Sequence, residues 1–201
     1  MARKPDSSRK PALLEQILEF LLDKPLASLS FNTLAKALGV STFTLVYHFG
    51  SRAELLGDIV WAISAREQDV QENLKDNPGT IDDYLAGLEW SWDWAVQPRN
   101  RQLQRLEFEA SMMEAQDPTS HTFMRSLFAQ WQKIGAKGLV ALGLSEEEAE
   151  AETRLTVNTF FGLQYDLVVN QDPEAVGAAF ELFLRRQRIN LEQLITARAA
   201  G

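Results

Sequence analysis

The architecture of this chain follows from SFNTLAKALGVSTFTLVYHFGSRAE, residues 30–54. Ser30 can cap a helix with an apolar stripe, and Gly39 can end that helix because glycine tolerates a positive φ. Ser41 can then cap a second short helix, Thr42–Phe49. Two short helices joined by a tight turn are the layout of a helix-turn-helix that reads DNA. A helix-turn-helix that serves only for packing is the plainer alternative, and the agreement of caps, turn glycine and polar face disfavours it.

The second predicted helix has one apolar face and one polar face. Leu45 and Phe49 stand at i and i+4 and point to the interior. The side chains left facing largely outward are Thr42, Phe43, Thr44, Tyr47 and His48. Ser51 and Glu54 have the spacing of a capping box, so a further helix is predicted to begin immediately after them.

A family resemblance rests on the run LAKALGVSTFTLVYHFGSRAELL, which is similar to the N-terminal domain of the TetR family of transcriptional regulators. The likeness covers about residues 9–60. Gly39 and the Ser-x-x-Thr-Leu run from Ser41 to Leu45 are among the positions that fit. The resemblance implies that His48 and the basic Arg52 touch DNA phosphates. We therefore expect the DNA-binding residues to be Ser30, Asn32, Ser41, Thr42, Phe43, Thr44, Tyr47, His48 and Arg52.

Two positions depart from the pattern of the family. Members usually have tyrosine directly after the Thr-Leu pair, whereas this chain has Val46 there and Tyr47 after it. The usual tyrosine contact to phosphate is therefore either absent or made by Tyr47 at a shifted angle. Phe43 stands where a small residue is common, so it either contacts a thymine methyl group or restricts entry to the groove.

Charge is divided unevenly along the 201 residues, whose formal net charge is −8. Residues 1–50 hold six basic and four acidic side chains, a net charge of +2, which leaves −10 for the remainder. A mildly basic head on an acidic body would orient the protein on DNA and discourage indiscriminate binding. The basic residues nearest the N-terminus are either an arm that follows the phosphate backbone or a minor groove, or a solvated tail. They are Arg3, Lys4, Arg9 and Lys10.

Composition argues against several other classes of protein. The chain has no cysteine, so disulfides and cysteine zinc sites are excluded. It has no signal-peptide pattern and no apolar run near the ~20 residues that span a bilayer, so we expect a cytoplasmic protein. His48 and His121 are the only histidines and fall in different predicted modules, and no glycine-rich phosphate loop is present. We expect neither an enzyme nor a cofactor; an interaction module that has lost DNA binding is the other alternative.

The whole chain reads as helices without strand alternation, and we predict an all-α fold of about nine helices. A three-helix helix-turn-helix DNA-binding domain is expected over residues 1–56, followed by a larger helical ligand-binding and dimerisation domain over residues 57–201. Outside the helix-turn-helix the predicted helices are Lys10–Leu22, Arg52 toward Leu74, Thr80–Trp94, Asn100–Ala115, Ser120–Leu142, Ser145–Val169 and Asp172–Thr196.

Aromatic residues gather in the predicted second domain, where they could line a cavity for a small molecule. We expect its lining to include Trp90, Trp94, Phe108, Met112, Trp131, Phe161, Gln164 and Tyr165. Trp90 and Trp94 share one helix face and are predicted to be buried, whereas Trp92 should point away. No basic cluster converges on this set, which favours an apolar or cationic ligand. The alternative for each residue is that it only fills a helical core.

A head that reads a half-site gains affinity by pairing, so a homodimer on a palindromic DNA operator is expected. The predicted interface residues on the last two helices are Leu163, Leu167, Val176, Phe180, Phe183 and Leu184. In a monomer the same stripes would pack inward. We expect a repressor that leaves its operator when a small-molecule effector binds, with the helix from Arg52 past Trp61 to Arg66 as the lever.

Overall fold

The computed structural model describes residues 9–66, 78–116 and 123–199, and the side chains of residues 64–66, 123 and 199 are excepted. Within these ranges the chain forms nine α-helices, one short 3-10 turn and no strand, which confirms the all-α prediction. The helices are α1 (Arg9–Leu21), α2 (Phe31–Leu38), α3 (Thr42–Phe49), α4 (Arg52–Arg66), α5 (Ile81–Ala95), α6 (Pro98–Gln116), α7 (Phe123–Ala141), α8 (Glu146–Asn170) and α9 (Pro173–Ala199). The 3-10 turn, Leu26–Ser28, lies between α1 and α2.

Most predicted helix ends agree with the structure to within a few residues. The largest difference at a described start is that α6 begins at Pro98, whereas Pro98 was predicted to separate two helices. Proline suits the first helical position because its missing N–H would have no partner there. The predicted extension of the fourth helix to Leu74, the predicted start at Ser120, the arm residues Arg3 and Lys4, the side chain of Arg66 and His121 lie outside the described residues.

The chain divides into two compact units. The first unit combines Met1–Ala65 with Arg105–Met124, and the second combines Arg66–Gln104 with Arg125–Gly201. The later half of α6 therefore belongs with the N-terminal helices, which chain order did not indicate. The predicted domain boundary after residue 56 stays a prediction.

The first unit is built on a core of leucine and isoleucine side chains. α1 buries Leu14, Ile17, Leu18 and Leu21, which recur at helical spacing along one face. α2 contributes Leu34, and α3 contributes Leu45 and Phe49. Burial of such side chains is worth about 1.5–3 kcal/mol each, so this core stabilises the packing of α2 against α1 and α3.

Side chains of α6 close the C-terminal end of α1. The last carbonyls of a helix have no partner within it, and α1 has no basic residue in its last turn. Arg105 supplies the missing donor, because its Nη2 atom donates to three backbone carbonyls. They are those of Leu21 at 2.9 Å, Leu22 at 3.2 Å and Lys24 at 3.1 Å. Glu109 pairs with Arg105 and accepts the N–H of Leu26, so the two α6 side chains hold both the end of α1 and the start of the 3-10 turn.

The second unit has an aromatic centre. The rings of Trp92 and Phe180 stack with centroids 4.6 Å apart, and Phe160 meets Trp92 edge-on at 6.2 Å. Trp92 is therefore buried, whereas Trp90 and Trp94 are only half-buried, so the predicted orientation of α5 was wrong. The buried face of α5 follows its aliphatic residues instead of its tryptophan pair. Its members are Tyr84, Leu85, Gly87, Leu88, Ser91, Trp92 and Ala95.

Candidate nucleic-acid interface

The predicted helix-turn-helix is present with its caps. The Ser30 hydroxyl accepts the N–H of Thr33 at 3.1 Å, and the Ser41 hydroxyl accepts the N–H of Thr44 at 3.0 Å. Gly39 ends α2 in the left-handed region, with φ of +66°, where a side chain would be strained. Local chemistry therefore fixes both ends of the turn that positions α3.

α3 presents a surface that is apolar and aromatic as well as hydroxylated. The exposed fractions are 79% for Phe43, 44% for Val46 and 62% for Tyr47, and Thr42 is exposed beside them. We call these four residues, Thr42, Phe43, Val46 and Tyr47, the reader face. Val46 was not among the predicted DNA-binding residues, although its i+3 spacing from Phe43 places it on the same face.

Aromatic contacts order the reader face. The Phe43 and Tyr47 rings stack one helical turn apart, with centroids at 6.5 Å and an interplanar angle of 25°. His48 meets Tyr47 edge-on at 5.1 Å. Thr44 and His48 are half-buried, so they lie at the margin of the face and not at its centre.

Polar contacts tie the remaining predicted DNA-binding residues to the scaffold. The Thr42 hydroxyl donates to Asn32 Oδ1 at 3.3 Å, which links α3 to α2. Arg52 Nε donates to the Leu29 carbonyl at 3.0 Å, which orients its guanidinium at the start of α4. The capping box that precedes α4 is confirmed: Glu54 accepts the N–H of Ser51 at 2.6 Å and donates its own N–H to the Ser51 hydroxyl at 3.2 Å.

Lys10 does not belong to an extended arm. It lies in α1, where Nζ is 2.8 Å from Asp58 Oδ2 and 5.6 Å from the centroid of the Phe49 ring. These contacts lie at an open cleft of about 610 Å³, whose lining also includes His48 and Trp61. Arg9 is exposed at the first position of α1.

The predicted ligand residues fall into both units. Phe108 and Met112 belong to the first unit, and the other six belong to the second. Gln164 is buried, and five of the set are half-buried: Trp90, Trp94, Phe108, Trp131 and Phe161. Phe161 stacks on Phe128 at 4.5 Å. Met112 and Tyr165 are mostly exposed in this chain, contrary to the expectation of a buried lining.

A buried carboxyl group lies on α6. Glu107 is almost fully buried, and burial raises its pKa from the ordinary 4.5 to about 7. Its Oε1 atom has no hydrogen-bond partner among the residues that the structure describes. No group of three metal-ligating side chains occurs in the described part of the chain.

The predicted dimer residues are largely used within one chain. Leu167, Val176 and Phe180 are buried in the core of the second unit, which corrects their assignment to an interface. Leu163, Phe183 and Leu184 are half-buried against that core. The apolar side chains that α8 and α9 leave exposed are Leu155, Tyr165, Val169, Leu182 and Ile189.

Two arginines near the middle of α9, Arg185 and Arg188, form ion pairs at the protein surface. Arg188 pairs with Asp82 at 2.6 Å, and Arg185 pairs with Glu181 at 3.8 Å. The pair distances and the exposure of these residues fit a solvated edge.

Comparison with known proteins agrees with this geometry. Residues 13–59 match the model of a family described as bacterial regulatory proteins, tetR family. The chain has the N-terminal domain of the TetR family. No curated protein matches the chain.

Among the described residues, no helix has the length and apolar character needed to cross a membrane.

Solved structures show that the TetR-like fold extends over the rest of the chain. NalD, the secondary repressor of the MexAB-OprM multidrug efflux pump in Pseudomonas aeruginosa, is 17% identical, with 92% of this chain and 98% of that chain covered and a TM-score of 0.61. Salmonella enterica GusR is 19% identical, with 96% and 98% covered and a TM-score of 0.64. A TetR variant from Acinetobacter baumannii AYE, in complex with minocycline, is 20% identical, with 95% and 98% covered and a TM-score of 0.60.

Proposed function

We propose that this TetR-like chain is a sequence-specific transcriptional repressor that binds a palindromic operator as a homodimer and leaves it when a small apolar or cationic molecule binds the second unit. The reader face carries this proposal. It stands on the second helix of a capped helix-turn-helix, which is the element that enters the major groove in proteins of this class. His48 and Arg52 at its margins supply groups suited to phosphate.

A homodimer is favoured because one short recognition helix contacts too few base pairs to specify a site. A helix of eight residues spans few base pairs, so two readers spaced by one helical turn of DNA, about 34 Å, are needed for useful specificity. The exposed apolar residues of α8 and α9 are the surface that we assign to the partner. The aliphatic members of this surface are Leu155, Val169, Leu182 and Ile189, and Tyr165 is exposed on α8 as well.

A small-molecule effector is the finer part of the proposal. NalD is by its description a repressor for a multidrug pump, and the Acinetobacter TetR variant holds minocycline. In this chain the half-buried aromatic side chains of the second unit supply apolar surface for such a molecule. The effector would act by a population shift toward a reader spacing that no longer matches successive grooves.

A selection experiment tests the proposal. The purified protein is mixed with a random duplex library at about 100 mM salt, where phosphate-driven background binding is moderate, and the retained DNA is sequenced. We expect an enriched inverted repeat. The variant with Tyr47→Ala, His48→Ala and Arg52→Ala should lose it, whereas Val140→Ala, an exposed change on α7, should not. If a folded dimer enriches no sequence, or the triple variant binds as well as the parent, the DNA-binding proposal is wrong.

A further inference from the structure

The chemistry of α3 is unusual for an element that reads bases. Between Ser41 and Gly50 the chain has no Arg, Lys, Asn, Gln, Asp or Glu. Guanine is read mainly by bidentate Arg or Lys, and adenine by bidentate Asn or Gln. The helix therefore lacks the side chains that supply most hydrogen-bonded base recognition. Asn32 is the amide that the structure ties to α3, through its acceptor contact with Thr42.

The reader face instead exposes apolar surface. Phe43, Val46 and Tyr47 lie within five consecutive positions, and the contact between the Phe43 and Tyr47 rings keeps the two rings together. Exposed apolar side chains that are grouped in this way mark an interaction surface. The helix that carries them is held from behind by the buried Leu45 and Phe49, so the face is fixed and not a product of local disorder.

The base edges of the major groove offer one apolar partner, the C5-methyl group of thymine. We propose that Phe43 and Val46 read thymine methyl groups, so that the operator half-sites of this protein are thymine-rich beneath α3 and are recognised largely by apolar contact. This inference rests on the proposed function, and it names the chemistry by which that function selects DNA. Between the two alternatives for Phe43, it chooses methyl recognition over restricted entry.

The expected size of the effect follows from apolar burial. Removing one methyl group from a contact costs about three- to five-fold in Kd. Two contacted thymines in each half-site would together change Kd by about two orders of magnitude, if the contacts are independent. A change of this size is easily measured by titration of labelled duplexes.

The test replaces thymidine with deoxyuridine in the operator recovered by selection. This substitution removes the C5-methyl group and keeps every hydrogen-bonding group of the base edge. We expect Kd to rise about three- to five-fold for each contacted thymine, and to stay unchanged for thymines outside the half-sites.

Protein variants assign the effect to residues. Phe43→Ala and Val46→Ala should weaken binding to the thymine operator and should each reduce the ratio between the uracil and thymine Kd values. Tyr47→Phe keeps the ring and should keep the ratio. Val140→Ala removes comparable exposed apolar surface from α7 and should leave both Kd values unchanged. Because all four side chains are substantially exposed, folding of the variants is expected and is checked by circular dichroism.

Three results would overturn the inference. If the protein binds its operator specifically and deoxyuridine leaves Kd within about two-fold, methyl recognition is wrong and the proposed function stands. If deoxyuridine weakens binding but Phe43→Ala and Val46→Ala keep the parental ratio, other residues read the methyl groups. If no operator exists, the inference and the proposed function fall together.

Discussion

Loss of Arg105 should destabilise the first unit, because this α6 side chain binds the carbonyls at the end of α1. The Nη2 atom contacts three carbonyls at 2.9–3.2 Å, but it carries only two hydrogens, so it makes two full hydrogen bonds that are shared among three acceptors. A hydrogen bond from a charged donor contributes about 1.5–3 kcal/mol when buried. Since the Arg105 side chain remains 23% exposed, water would partly replace these bonds. We expect Arg105→Ala to cost about 2–3 kcal/mol.

The assay combines unfolding with local hydrogen exchange, because the two units need not unfold together. Urea titration gives the free energy of unfolding. The N–H of Leu26 donates to Glu109, so its hydrogen-exchange rate reports how often the contact at the end of α1 opens. Arg105→Ala should raise this rate about 30- to 140-fold. Glu109→Ala and the double variant complete a cycle that measures the coupling between the two side chains.

Arg185→Ala is the matched control. Arg185 also pairs with a glutamate four residues away, but it is 63% exposed and 3.8 Å from Glu181, so its loss should cost no more than about 0.5 kcal/mol. Arg105→Lys separates charge from geometry, since one ammonium group cannot reach the same three carbonyls. If Arg105→Ala costs no more than Arg185→Ala, the exposed end of α1 is satisfied by water and our reasoning about its closure is wrong.

Three further predictions concern a buried carboxyl group, the contact between α7 and α8, and an aromatic core residue. Because the pKa of Glu107 rises from 4.5 to about 7 on folding, the folded chain binds more protons than the unfolded chain between these pH values. The free energy of unfolding should therefore fall by about 3 kcal/mol as pH rises through that window. Urea titrations at pH 5 and pH 8 should show this loss for the parent and not for Glu107→Gln. Gly135→Ala places a Cβ 2.5 Å from Thr153 Cγ2 and should cost about 1–3 kcal/mol of stability in thermal unfolding. The Thr153→Ala background should restore the lost stability. As the control, the Cβ of Gly162→Ala meets nothing within 4 Å, so this variant should gain about 0.5–1 kcal/mol of stability. Trp92→Ala should cost about 3–5 kcal/mol in urea titration, and a loss below 1 kcal/mol would contradict its place in the core.

The helix-turn-helix was predictable because its determinants are local. Ser30, Gly39 and Ser41 act on backbone groups within a few residues, so their effects can be deduced from chain order alone. The family resemblance named the same segment, and the match over residues 13–59 agrees with it. Val46 was missing from the predicted DNA-binding residues, although helical spacing alone places it with Phe43.

The buried face of α5 could not be deduced from the sequence in the same way. Trp90 and Trp94 share one face and Trp92 lies on another, so the sequence offered two candidates for the buried side. The choice depends on the partner, since Trp92 is the residue that stacks on Phe180, far away in the chain. The contacts of Arg105 pose the same problem, because they join positions more than 80 residues apart.

The charge of the chain and the composition of its reader face are consistent with one another. A protein of net charge −8, whose first 50 residues carry only +2, draws little non-specific affinity from phosphates. If the chain selects an operator as proposed, its preference for that sequence must come mainly from contacts that form only at the correct site. Apolar contact with methyl groups meets this requirement, because it is short-ranged and nearly independent of salt, whereas phosphate attraction acts on every sequence. A face built from Phe43, Val46 and Tyr47 therefore suits an acidic regulator better than one built from arginine, which would add non-specific affinity together with specificity.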